Sequence, residues 1–262
     1  MATSTRISEL PQITTITKDN IIIIEDAEKT TYKATLNQIS SAVYSQIAQT
    51  TALTLYVNIT ELQNTIDSLP RLLMSDVYIF VYPGTYSDTI TIENFVGNGW
   101  LAIRAVDSSG TIVSTVGATT HKITNVVLQS NTTKQIYVTG FNMTTTSTNG
   151  VYARYNAGFL YIGYCTFTSG SNSTSTNIGV NALENSGVIS VSTCVMSNKY
   201  YAINVQNSGI LWVTTLSGTS SNIIYRASSG GGIVIRGAGT ITGTTTYSKA
   251  SGGFILSAGA LI

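Results

Sequence analysis

Along the C-terminal two thirds of the chain, apolar residues recur in pairs with one residue between them. The pairs are Ile136/Val138, Leu160/Ile162, Ile189/Val191, Leu211/Val213, Ile233/Ile235 and Phe254/Leu256, with Leu101/Ile103 as an earlier member. From Ile136 onward the offsets between pairs are 24, 29, 22, 22 and 21 residues. Alternation with a period of two predicts short β-strands, and helical periodicity is missing here. Three residues after each pair comes a third apolar position, occupied by Val106, Phe141, Cys165, Cys194, Leu216 and Ala238, and Met143, Phe167 and Met196 make a fourth. Such a repeat predicts a mainly β protein, a single-stranded right-handed parallel β-helix. Each coil of this solenoid lies about 4.8 Å above its predecessor, and like side chains stack inside. The longest offset follows the polar stretch at 169–177, which reads as a loop bulging from one coil. Leucine-rich repeats have a similar period but need a denser leucine pattern.

Two stretches, NAGFLYIGYCTF at 156–167 and NSGVISVSTCVM at 185–196, spell one pattern twice. The β-helix reading accounts for this by placing Cys165 and Cys194 at one inward height on adjacent coils. Asn156, Asn185 and Asn207 are expected to share a turn where amides bond along the axis.

The first coil of a solenoid needs covering. The segment TELQNTIDSLP at 60–70 predicts a short capping helix, with Thr60 and Gln63 as a capping box, an apolar face of Leu62, Ile66 and Leu69, and Pro70 as the stop. Further upstream, IIIIED and TTYKAT predict a hairpin around Asp26-Ala27-Glu28, and LNQISSAVYSQIAQ a helix. The expected organisation is a small α+β region over 1–50, a linker strand and capping helix over 51–74, and the β-helix over 75–262. Some 50 residues with one hairpin and one helix are marginal alone, so the first region calls for a partner or an oligomer.

Charge changes the picture by its placement. Residues 1–107 hold 6 Lys/Arg and 11 Asp/Glu, whereas the remainder holds 7 Lys/Arg and a single acid, Glu184. With charged residues at 10% and a net charge of +1, nucleic-acid binding is not favoured. The N-terminus lacks an apolar signal region and the IIII run is too short to insert in a membrane, so a soluble product of the cytoplasm is expected. Two cysteines and one histidine, His121, do not make a four-ligand zinc site, and no metal or cofactor is expected. The cysteines read as buried free thiols, although adjacent coils would also allow a disulfide.

Two resemblances rest on particular residues. The stretch DVYIFVYPGTYSDTITIENFVGNGWLAI resembles the opening of pectin-lyase-like β-helix domains, through Pro83, Gly84, Thr85, Tyr86, Ile90, Ile92, Gly97 and Gly99. The head, RISELPQITTITKDNIIIIEDAEKTTYKATLNQIS at 6–40, resembles the short anchoring region of bacteriophage fibre and spike proteins. Together they imply a virion appendage, either a head fibre or a tail fibre or tailspike. Residues 1–50 would bind capsid or tail proteins, with Ile7, Leu10, Pro11, Ile22, Ile24, Tyr32, Leu36 and Ile39 as anchoring side chains. They also imply a homotrimer.

Pectin-lyase-like spikes are often depolymerases, which makes the supply of acids decisive. Glycoside hydrolysis commonly needs two carboxylates within about 10 Å, and a lyase needs several oxygen ligands for a cation. Beyond Asp107 only Glu184 is present, while Asp76, Asp88, Glu93 and Asp107 read as turn residues. No catalytic residue is expected, and the enzymatic alternative is a tailspike whose site forms between subunits. A bacterial surface adhesin is a third reading, disfavoured by the missing secretion signal. Between the paired inward residues lie Tyr137, Tyr161, Trp212, Val234 and Ile255, an expected outward stripe for a subunit interface or for binding host-surface glycans.

Overall fold

The computed structural model describes residues 21–25, 31–35, 48–116, 120–145, 148–168, 173–207, 209–237, 239–257 and 260–262. The chain divides into two compact units, Met1–Ile47 and Ala48–Ile262. In the first unit Ile21–Glu25 pairs antiparallel with Thr31–Thr35, placing Ile22 opposite Ala34 and Ile24 opposite Tyr32. The expected hairpin is therefore present. Of the anchoring residues, Ile7, Leu10, Pro11, Leu36 and Ile39 lie outside the described residues, as do Ala238 and residues 36–47 of the helix expected over 36–49, whose last two residues, Ala48–Gln49, form a parallel strand instead.

The second unit is mainly β, with long parallel, solenoid-like sheets of 12 and 10 strands. One sheet stacks Leu53–Asn58, Val77–Tyr82, Val96–Ala105, Thr132–Thr139, Phe159–Gly163, Val188–Ser192, Ile210–Val213, Gly232–Ile235 and Phe254–Ser257 in chain order, each parallel to the one before. We call this the first face. The other sheet runs in two stretches, one through Asn142–Met143, Thr166–Thr168 and Cys194–Ser197, the other through His121–Gln129, Val151–Arg154, Ile178–Leu183 and Tyr201–Gln206. The long strand Leu216–Ser228 runs through both stretches. Parallel pairing begins at Ala48–Gln49 and Leu53–Asn58, within and just before the segment read as a linker.

The inward columns follow from this register. Leu101, Ile136, Leu160, Ile189, Leu211 and Ile233 lie one above another, all at most 1% exposed. Phe141, Cys165, Cys194 and Leu216 line the next column, and Met143, Phe167 and Met196 the one after. Full burial of each aliphatic side chain contributes about 1.5 to 3 kcal/mol, and like shapes at equal heights fill the interior without gaps. Both cysteines are free and buried, so they pack as small apolar residues.

At the end of the stack one expectation fails. Ile255, read as outward, is fully buried beneath Ile233, while Leu256 lies on Val234 and is only partly buried. The true offset is 22, not 21. All of Phe254, Ile255 and Leu256 are apolar, so alternation offers no handle there, and a slip of one residue exchanges the faces.

Bends join the second sheet to the first face through a column of left-handed residues that includes Asn94, Ser130, Tyr155, Glu184 and Asn207, with φ between 51° and 62°. An asparagine stack follows the bend. The Asn156 side-chain oxygen accepts from the Asn131 backbone N–H at 3.1 Å and from its amide at 2.9 Å, and Asn185 treats Asn156 the same way at 2.9 Å and 2.9 Å. The Phe95 N–H donates to Asn131, and the amides donate onward to the buried carbonyls of Ile92, Leu128 and Ala153. The stack thus runs through Asn131, Asn156 and Asn185. Asn207, expected in it, sits one position earlier as an exposed bend residue.

The capping helix is real, with a 3-10 turn Ile59–Glu61 leading into Leu62–Ser68. Its start is set by Asn58, not Thr60. The Glu61 carboxylate accepts from both the backbone N–H and the side-chain amide of Asn58 at 3.2 Å. Gln63 serves the sheet instead, because its amide accepts from the Thr91 N–H at 2.7 Å and donates to the Thr91 carbonyl at 3.1 Å. One side chain thereby imitates a neighbouring strand at the edge. The cap buries Leu62 and Ile66 completely.

Asn156→Ala removes acceptors from a buried backbone N–H and should cost about 2 to 4 kcal/mol in chemical denaturation. Asn207→Gly, at a bend that glycine favours, should stay within about 0.5 kcal/mol. Equal losses would contradict the different places of the two asparagines. Ile255→Ala should cost about 2 to 4 kcal/mol and Leu256→Ala clearly less; the reverse order would restore the sequence register.

Candidate functional site

Outward residues of the first face also stand in rows. The central row runs Tyr78, Ala102, Tyr137, Tyr161, Ser190, Trp212, Val234 and Leu256. Four of the five predicted stripe residues belong to it, and Ile255 does not. Tyr137 and Tyr161 touch at 5.4 Å between ring centroids, and Trp100 joins them at 5.7 Å from Tyr137. Trp212 is separated from Tyr161 by Ser190 and instead meets Phe159 at 6.2 Å. Neighbouring rings cover one another, so the stripe is half-buried rather than an open apolar strip.

Cations lie on these rings. The Arg236 guanidinium sits 3.6 Å from the Trp212 ring centre, Arg104 5.3 Å from Tyr137, and the Lys134 ammonium 5.7 Å from Trp100. Among the described residues none of these three cations forms a salt bridge. Asp76 is the carboxylate bordering this group, and it accepts from the Trp100 backbone N–H at 3.0 Å. The face therefore combines aromatic surface with positive charge.

Beside the central row runs a second one, Phe80, Arg104, Thr139, Gly163 and Ser192. Arg104, Tyr137, Thr139, Tyr161, Tyr164 and Ile112 enclose a cleft of about 240 Å³. Tyr161 forms one wall because Gly163 lies two residues beyond it. A Cβ at Gly163 would collide with the Tyr161 ring, so only glycine lets the ring lie along the strand. Burial raises the Tyr161 hydroxyl above its ordinary pKa. Ile112 is brought to the rim by a loop that Asp107 folds, its carboxylate accepting from the backbone N–H groups of Ser109 at 2.8 Å and Thr111 at 3.0 Å. The Val113 N–H then donates to the Ala105 carbonyl at 2.9 Å and ties the loop to the strand. Asp107 thus does turn chemistry, and these donors, the Ser109 hydroxyl foremost, hold its carboxyl below the usual value.

Glu184 has a different situation. It is a bend residue beside Tyr155 and Asn207 and binds Arg154 Nε at 2.8 Å. Arg154 first, and then Tyr155, hold its carboxyl below the ordinary glutamate value. A proton-donating catalyst needs the opposite shift. Among the described residues no three His, Cys, Asp or Glu side chains gather to hold a metal ion, and no helix is long and apolar enough to cross a membrane. Comparison with protein-family models, with curated proteins and with solved structures finds no match to this chain.

Lys199 was not singled out by the sequence pattern. It is fully buried, with its ammonium donating to Asn177 Oδ1 at 3.0 Å and to the Thr145 carbonyl at 3.3 Å. Both acceptors are neutral, and burial lowers its pKa to about 8. A lysine after an asparagine in a polar stretch carries no sign that the chain will close over it. Arg104, by contrast, alternates with the inward Ile103 and Ala105, and its outward place was readable. Nothing signalled that Tyr164, a left-handed bend residue, would complete the same cleft.

The pH dependence follows from Lys199. Unfolded, its amine keeps a proton up to about pH 10.4, whereas in the fold it loses the proton near 8. The unfolded chain binds more protons at this group between these values, so the contribution of Lys199 to stability should rise as pH climbs from about 8 to about 10. Urea midpoints across that range in the native chain and in Lys199→Met measure it; the change with rising pH should be more positive in the native chain than in the variant.

Proposed function

We propose that this chain is a non-enzymatic structural appendage of a bacteriophage particle, a head fibre or a tail fibre. It assembles as a homotrimer, with residues 1–50 attached to capsid or tail proteins and a right-handed single-stranded parallel β-helix projecting outward. The aromatic face adheres to host-surface glycan, and the protein resides in the virion. The observation that carries this reading is the pairing of a coil repeat, stacked in register from Leu53 to Ser257, with a head at 6–40 that resembles phage anchoring regions. A uniform rod of coils suits projection, since each coil needs only its neighbours. Aromatic rings on a ridged sheet suit sugars, whose apolar ring faces stack on them.

The alternative, a depolymerase with an inter-subunit site, finds little support in the one acid beyond Asp107. Glu184 is engaged by Arg154 and held ionised at a bend, and three copies around an axis would repel one another.

Light scattering should give about three times 27.8 kDa, and a monomer would defeat the trimer. A chain lacking residues 1 to 47 should keep its β circular dichroism yet fail to enter particles. Normal incorporation would sink the anchoring assignment. Incubation with host polysaccharide should release no new sugar ends, and release abolished by Glu184→Gln would establish the enzymatic alternative instead.

A further inference from the structure

The cleft beside the aromatic row contains an unmet bonding requirement. Arg104 Nε is buried and has no hydrogen-bond partner, and among the described residues its guanidinium forms no ion pair. A buried donor without an acceptor costs about 1 to 3 kcal/mol, more when it belongs to a charged group. Proteins rarely carry such a group without use. The guanidinium of this half-buried side chain lies over the Tyr137 ring, 5.3 Å from its centre.

Facing it across Thr139 is the Tyr161 ring, laid along its own strand over Gly163. Arg104 and Gly163 occupy strands two apart in the sheet, which separates their backbones by roughly 9 to 10 Å. The enclosed space of about 240 Å³ lies below the range typical of drug-sized ligands. It suits a single sugar ring better than an extended side chain or a peptide. An aromatic wall binds the apolar side of such a ring, and a planar fork of N–H donors opposite it matches a carboxylate or phosphate oxygen pair.

We propose that the cleft formed by Arg104, Tyr137, Thr139, Tyr161, Tyr164 and Ile112 binds one pyranose unit carrying an anionic group. The ring stacks on Tyr161 and the carboxylate or phosphate accepts from Arg104. This rests on the adhesive reading of the same face and narrows it to acidic glycans. Charge selects the ligand, because Arg104, Lys134 and Arg236 lie along the face and, among the described residues, none of the three forms a salt bridge. Selectivity arises because the guanidinium that lines the cleft carries a positive charge that no acid of the described chain pairs, which a neutral sugar leaves uncompensated and an anionic one neutralises.

Titration calorimetry on the full chain tests this with four probes: a uronic-acid trisaccharide, its methyl ester, a phosphodiester-linked disaccharide and neutral maltotriose. At least one anionic probe should bind tenfold or more tightly than the ester and maltotriose, and which one does so tells carboxylate from phosphate. Arg104→Gln should weaken that binding roughly ten- to hundredfold and leave the ester unchanged. Arg104→Lys should recover only part, since it keeps the charge but not the fork. Tyr161→Ala should weaken the acid and the ester alike. Circular dichroism of each variant separates lost binding from lost folding.

Affinity for both anionic probes no greater than for the ester and maltotriose, or an unchanged Arg104→Gln, overturns the anionic assignment and spares adhesion. Binding of none of the four probes overturns the assignment and removes this cleft's support for adhesion, leaving particle attachment untouched. A fall in light-scattering mass on Arg104→Gln, without sugar binding, would make the cleft a contact between copies of the chain and sink the proposal.

Discussion

Parallel strands that stack in register, coil upon coil, impose one rule on this chain. Whatever occupies a given height in one turn must tolerate the same height in the next, at about 4.8 Å. The rule explains why inward columns hold related side chains, from Leu101 to Ile233, and why two cysteines lie against each other as buried free thiols. Burial, together with the neighbouring Cys165, pushes the Cys194 thiol well above its ordinary range, so reactivity is not the reason for its place. It also explains how outward residues become rows, and therefore how an aromatic face arises from residues 20 or more positions apart.

Stacking alone does not turn the corners. A left-handed bend is strained for a residue with a side chain, and after Ser130, Tyr155 and Glu184 the next residue is an asparagine that offsets the strain by accepting a backbone N–H of the preceding turn. The buried amides are fully used, so the polar column costs little while it fixes the register. Gln63 solves the related difficulty at the first coil, where a strand edge would otherwise stay open. Both devices use carboxamides, which donate and accept at once. The composition, rich in Thr, Ser and Asn and poor in charge, reflects this use of neutral polar groups.

Glu184 and Arg104 show how context assigns charge. Each looks like an ordinary surface charge in the sequence. Glu184 lands on a bend, with Arg154, Tyr155 and Asn207 gathered around it, and is spent on structure. Arg104 lands between a tyrosine ring and a cleft, with a buried donor left unmatched. The first is satisfied within the chain, while the second is poised for something outside it.

Alternating apolar pairs and their spacing were enough to read a mainly β chain with long parallel sheets, the inward columns and most of the outward row, because a period of two is local and recurs from one repeat to the next. The hairpin at Ile21–Glu25 and Thr31–Thr35 and the capping helix were legible for the same local reason. Where alternation vanished, at Phe254, Ile255 and Leu256, the face of each residue was decided only by pairing with Gly232, Ile233 and Val234. Only the three-dimensional fold placed Asn131 in the stack and Asn207 outside it, buried Lys199, and drew Ile112 and Tyr164 to Arg104. Those relations join residues through bends and loops whose paths no spacing encodes. Side chains far apart in sequence meet there because of backbone geometry, and geometry of that kind exists only once the coils have closed on one another.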